Sequence, residues 1–215
     1  MSDFTYANLI SSSNKETAKA FLEADAYLLD FSDKWSCLLT RNDTAVNIAD
    51  KKGFSETILS LSEKIPVLYF LHAEDHGLGF LILHNRNIVS SFEIDWGHYA
   101  DLSRIIAEEM YGDEGFDKWM KDFDKFEDLA LERRQEYISK LFFEIHPENF
   151  SLFGFPSDDI AKINETLNPK SVSTESDITV MINALIAILG LEEFTFVSWD
   201  YVKKQEKAYP IIAKG

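Results

Sequence analysis

The hydrophobic positions of this chain change period along its length. Between residues 26 and 96 the apolar residues fall in short β-branched and aromatic runs. After residue 97 they recur every three to four positions. Ala26–Phe31 and Trp35–Thr40, separated by Ser32-Asp33-Lys34, read as a hairpin. Val67–Ala73, Leu78–His84 and Ile88–Trp96 read as a meander. Its turns are Glu74-Asp75-His76-Gly77 and Asn85-Arg86-Asn87. In the last of these strands Ile88, Ser90, Phe92, Ile94 and Trp96 share one face by alternation. That face is expected to pack on helices, and the opposite face to meet solvent or a partner.

Helix signals surround and follow the strands. Ser12 or Ser13 with Glu16 resembles a capping box opening a helix over about residues 14–24. Ser55-Glu56 opens another, which Pro66 ends. Helical spacing covers Asp101–Tyr111, Phe116–Asp124, Phe126–Phe143 and Ser157–Leu167. Thr174–Leu189 is apolar on most of its surface and closes on Gly190. Phe194–Val202 alternates aromatic and small residues and predicts a late strand.

The expected fold class is α+β: an antiparallel sheet of about five strands with packed helices, followed by a mainly helical C-terminal part. Residues 1–97 form the sheet part and 98–215 the helical part, as two domains or one continuous unit. The aromatic stretch Asn149–Pro156 is the candidate joint.

Composition narrows the function classes. The chain has 215 residues, 46% of them hydrophobic and 13% aromatic, so it can build a core rather than a disordered tail. Its formal net charge is −16, which opposes binding to nucleic acid or to anionic membrane surfaces. The acids are spread over both parts and are densest in Asp101–Asp128, with ten acids against four bases. Gathered on one face, they would attract a basic protein partner. Cys37 is the single cysteine, which favours a reducing compartment. No apolar run reaches the length of about 20 residues that a membrane span needs, and the first residues lack a signal-peptide pattern. A cytoplasmic location is expected.

Candidate chemistry is sparse. His72, Glu74, Asp75 and His76 cluster at the first meander turn, and ligands two apart on a strand share a face, as a zinc site requires. The same residues serve equally as turn chemistry, with Asp capping amides and Gly77 supplying positive φ. Glu93 and Asp95 share a strand face about 6–7 Å apart, a carboxylate spacing used in glycoside hydrolysis. A polar strand face in an acidic chain carries such pairs without any catalytic role. Gly53-Phe-Ser55-Glu-Thr57 lacks the final glycine of a nucleophile elbow. No phosphate-binding or dinucleotide fingerprint occurs, and neither a cofactor nor a bound metal is expected.

The runs Ile65–Phe70, Glu74–Phe80 and Trp35–Thr40 resemble segments of intracellular proteins of Firmicute-type bacteria that have no assigned activity, over about residues 14–97. The resemblance implies an intracellular α+β domain and brings no catalytic residues. A class of small bacterial immunity proteins shares the acidic, cysteine-poor α+β character, but its tryptophan-proline and paired-glycine pattern is not present here. The sequence therefore argues for a non-enzymatic protein-binding module, immunity- or inhibitor-like, with an acidic surface. The alternative is a metal-dependent or acid–base enzyme built on His72, Asp75 and His76.

Overall fold

The central strand of the sheet is one that the hydrophobic pattern does not announce. Phe4–Ser11 (β1) pairs on one side with Trp35–Leu39 (β3) and on the other with Val67–Ala73 (β4). Tyr27–Asp30 (β2), Gly77–His84 (β5), Asn87–Asp95 (β6) and Ile211–Lys214 (β7) complete an antiparallel sheet in the order β6-β5-β4-β1-β3-β2-β7. The computed structural model describes residues 4–43, 46–73, 77–95, 101–172, 175–194, 197–205 and 209–215, with the side chains of residues 4, 95, 175 and 176 outside that description. Within those residues the protein is α+β, with seven strands and eight helices.

Both faces of the sheet are covered, which corrects the expectation of an open polar face. One face presents Ala7, Leu9, Trp35, Phe70, Phe80 and Phe92 to a layer drawn from the second half of the chain. That layer contains Phe123–Leu141 (α5, through Ile138), Ser157–Thr166 (α6), Glu175–Leu189 (α7) and Trp199–Lys204 (α8). The expected joint Asn149–Pro156 sends Phe150, Phe153 and Phe155 into the same core. The other face presents Leu28, Leu38, Tyr69 and Leu81 to Lys15–Lys19 (α1) and Glu56–Ser62 (α2).

The alternation read along β6 does not run its full length. Ile82 pairs with Ser90 but Leu83 pairs with Ile88, so Val89 is an extra residue, a β-bulge. The bulge turns Ile88 to the α2 side while Phe92 and Ile94 stay in the first core. At the tip, Asn85 and Arg86 take positive φ as a two-residue hairpin turn requires. Arg86 then pairs with Glu56 and Glu63 of the α2 region.

Elsewhere the pattern and the fold part in instructive ways. The N-cap at Ser55 is formed, its Oγ accepting from the Ile58 N–H at 3.3 Å. The first helix spans only Lys15–Lys19, short of the expected residue 24, and Ser12 donates its hydroxyl to the Ser32 carbonyl instead of capping it. The strand expected at Phe194–Val202 is overturned, since Trp199–Lys204 is helical. Trp199 and Val202 are buried three apart, a spacing that a short window confuses with alternation. Long-range bonds tie this segment to β1: Tyr6 N–H donates to the Val197 carbonyl at 3.1 Å, and Thr5 Oγ1 donates to the Phe194 carbonyl at 3.5 Å.

Candidate functional site

Of the residues singled out at the meander turn, Glu74, Asp75 and His76 lie outside the described residues. His72 and Glu93 are described. His72 pairs with Leu78 on β5, whereas Glu93 pairs with Gly79, one step along. Adjacent positions on a strand point to opposite faces, so His72 shares its face with Phe70 and Glu93 shares its face with Leu81. The sheet therefore separates these two candidates rather than bringing them together. Asp95 pairs with Gly77 at the end of β6, and its side chain lies outside the description. Among the described residues no three His, Cys, Asp or Glu side chains are grouped to hold a metal ion. Cys37 is fully buried in the first core, and burial pushes its thiol pKa up, as expected of a packing residue.

Glu93 lines a cleft of about 240 Å³ between β6 and the C-terminal end of α5, with Ile48, Tyr137, Leu141 and Glu144. The chemistry there is already committed. Glu144 accepts from Ser91 Oγ at 2.6 Å and is ion-paired with Lys51. Its hydrogen bonds to Lys51 and then to Ser91 hold its carboxyl below the usual range. Lys140 pairs with Glu136 at 3.0 Å. A carboxylate held ionised by a lysine is a poor proton acceptor at neutral pH. The Glu144–Ser91 bond ties the chain just after α5 to the sheet edge, while the Lys140–Glu136 pair lies within α5.

Sequence reading missed a buried carboxylate. Asp43 is 2% exposed and accepts three bonds: Asn8 Nδ2 at 2.8 Å, Thr40 N–H at 2.7 Å and Thr40 Oγ1 at 2.7 Å. Tyr69 donates its hydroxyl to the Asp43 carbonyl at 3.0 Å. Burial pushes the Asp43 carboxyl up to about 7, against these bonds, which lower it. Its hydrogen-bond partners are scaffold groups, so the cluster fastens the 40–43 turn over β1.

The remaining candidate surface lies on the helices after the meander. Leu102–Tyr111 (α3), Gly115–Lys121 (α4) and the first half of α5 enclose a small core of their own, made of Leu102, Ile106, Ala107, Phe126 and Ala130. They form an arm beside the sheet. Trp119 is half-buried and donates Nε1–H to Ser103 Oγ at 3.0 Å, which fixes the roll of α4 on α3. Its neighbours at helical spacing stay uncovered: Phe116 is 52% exposed, Met120 61% and Phe123 47%. The rings run in succession, with centroids 5.7 Å apart for Phe116–Trp119 and 5.5 Å for Trp119–Phe123. Large contiguous apolar exposure of this kind marks interaction surfaces in soluble proteins.

Acids surround this stripe. Asp113, Glu114, Asp117, Asp122 and Asp124 are all exposed. None is ion-paired among the described residues, whereas further back on the arm Arg104 pairs with Asp101 and Glu108, and Arg133 with Glu109. Lys118 and Lys125 are drawn over the rings of Tyr111 and Phe126.

The pose of α4 depends on Gly115. A Cβ there would come within 2.7 Å of the Glu108 nitrogen and 2.8 Å of the Ala107 carbonyl oxygen, both backbone atoms that cannot yield. Gly115→Ala is expected to lift α4 from α3 at a cost of about 2–3 kcal/mol. Hydrogen exchange should then accelerate in residues 102–121 and stay unchanged in β1 and β4. Unchanged exchange across the arm would refute the close-packing role.

Compared with protein-family models, with curated proteins and with solved structures, the chain matches none.

Proposed function

We propose that this protein is a non-enzymatic protein-binding module that works inside the cell and engages its partner through the α3–α5 arm. One observation carries this reading: an aromatic and methionine stripe left open to water, bordered by five carboxylates that form no ion pair among the described residues. An uncovered stripe of this size is costly unless something covers it, and Met with aromatic side chains suits a surface that must adapt to a partner. Glu144 and Lys140, which line the cleft beside Glu93, are held in ion pairs with Lys51 and Glu136, which favours binding over catalysis. The single buried cysteine suits a reducing compartment.

The test compares the wild-type chain with Phe116→Ser/Met120→Ser as bait in native lysate at low salt. The expected result is a protein retained by the first and lost from the second, with identical far-UV circular dichroism for the two. Equal retention by both, or none by either, would overturn the assignment.

A further inference from the structure

The reading of the arm as a binding surface leaves open what docks there. Resting on that reading, we infer that the arm takes a cationic amphipathic helix presented by the partner.

The stripe has the geometry of one side of a helix–helix contact. Phe116, Trp119 and Met120 stand at i, i+3 and i+4 on α4, and Phe123 continues the row at the start of α5. Residues at that spacing make a ridge, and a ridge is matched by the groove between the ridges of another helix. The row is about 10 Å long at 1.5 Å per residue, the length that two turns of a docked helix cover. An extended strand docks on a sheet edge, where backbone groups pair; a helix ridge presents side chains only, its backbone bonds being satisfied within the helix.

Charge selects among possible occupants. A second copy of this chain laid on the stripe would bring Asp113, Glu114, Asp117, Asp122 and Asp124, only partly offset by Lys118, Lys121 and Lys125, against a face of the same net negative charge, and like charges across an interface are unfavourable. A lipid surface of anionic headgroups is opposed for the same reason. A helix with Lys or Arg beside its apolar row meets the stripe with its own apolar row and the acids with its cations. Among the described residues none of these five acids is held in an ion pair, and with Lys118, Lys121 and Lys125 between them the segment keeps a net negative charge.

The probe is a fluorescein-labelled peptide of about 14 residues containing only Leu and Lys at helical spacing, about four turns long. A second peptide has the same composition in strict alternation, and a third replaces Lys by Glu. Anisotropy titrations against the full chain are expected to show the helical Leu/Lys peptide binding at least about tenfold more tightly than the alternating one, and no binding of the Leu/Glu peptide. Phe116→Ser/Met120→Ser should weaken the helical peptide by about tenfold or more. Asp113→Asn/Asp117→Asn/Asp122→Asn should weaken it and flatten its salt dependence. Asp158→Asn/Asp159→Asn, on α6, should change neither.

Equal binding of the two Leu/Lys peptides, or equal loss with the α6 substitutions, would show attraction by net charge alone and overturn the inference. Dimer formation by light scattering that Phe116→Ser/Met120→Ser abolishes would make the occupant a second copy and overturn it as well. If the peptides fail while the lysate partner still depends on Phe116 and Met120, the helix inference falls and the binding module stands. If the lysate partner is indifferent to the stripe, the module reading falls first.

Discussion

Trp35→Ala should lower the stability of the folded protein by about 5 kcal/mol, the largest single effect expected in this chain. Trp35 is fully buried in β3, with its ring against Phe153 at 5.4 Å and Phe155 at 6.0 Å between centroids. Its Nε1–H donates to the Leu189 carbonyl at 2.7 Å, at the point where α7 ends on Gly190 with φ of +70°. One side chain thus joins the sheet to the end of the most apolar helix. Truncation removes the ring, leaves a cavity and strands a buried carbonyl. Trp35→Phe keeps one ring in the core and loses the bond and the smaller part of the indole, at about 2–3 kcal/mol. Urea midpoints of the two variants decide the matter. A loss below about 1 kcal/mol for Trp35→Ala would show that the helical layer is not anchored there.

Asp43→Asn is expected to change how stability depends on pH. The carboxyl sits at 3.8 when unperturbed and at about 7 in the fold. Between those values the unfolded chain releases the proton and the native state keeps it. The native state then binds more protons, so stability falls as pH rises through this window. The loss is absent below about pH 4, grows by about 1.4 kcal/mol per pH unit, and levels off above about pH 7 at roughly 4 kcal/mol. Asparagine does not titrate, so relative to wild type the variant should gain about 4 kcal/mol between pH 4 and pH 8. Its absolute stability also reflects the amide it turns toward the Thr40 N–H, but that contribution is the same at every pH. Chemical denaturation of both proteins at the two pH values provides the measurement. A difference between them that does not vary with pH would refute the raised carboxyl.

The elements that could be read from the sequence are those whose partners are near in the chain. The meander from Val67 to Asp95 needs only neighbouring strands and turn residues such as Asn85 and Arg86, and it formed as expected. The helices at 102–111, 115–121 and 123–141 follow from spacing alone. β1 escaped notice because it is buried on both faces and carries Asn8 in its middle, so it shows neither alternation nor an apolar run. β7 pairs with β2 across nearly the whole chain, and no local signal reports that.

The same limit applies to the candidate sites. Asp43 reads as a loop acid, because its burial depends on Asn8, 35 positions away, and on Tyr69, 26 positions away. The stripe on α4 was legible as an amphipathic helix but not as a surface. Periodicity says which side of a helix is apolar; only the packing of α3 and α5 shows that this side is left uncovered. His72 and Glu93 belong to one meander, and the sequence alone does not say whether they converge. Pairing register, which puts them on opposite faces, is set by the turns and the core.

The bonds from Thr5 and Tyr6 to Phe194 and Val197 have a consequence for synthesis. They join residues 189 or more positions apart. At about 5–20 residues per second, the ribosome needs roughly 10–40 s to make the intervening chain. For all that time Ala7, Leu9 and their companions on β1 wait without the layer that finally covers them. The nascent chain thus spends its early life as a half-shielded sheet, and whatever holds such surfaces apart in the cell is a participant in building this protein.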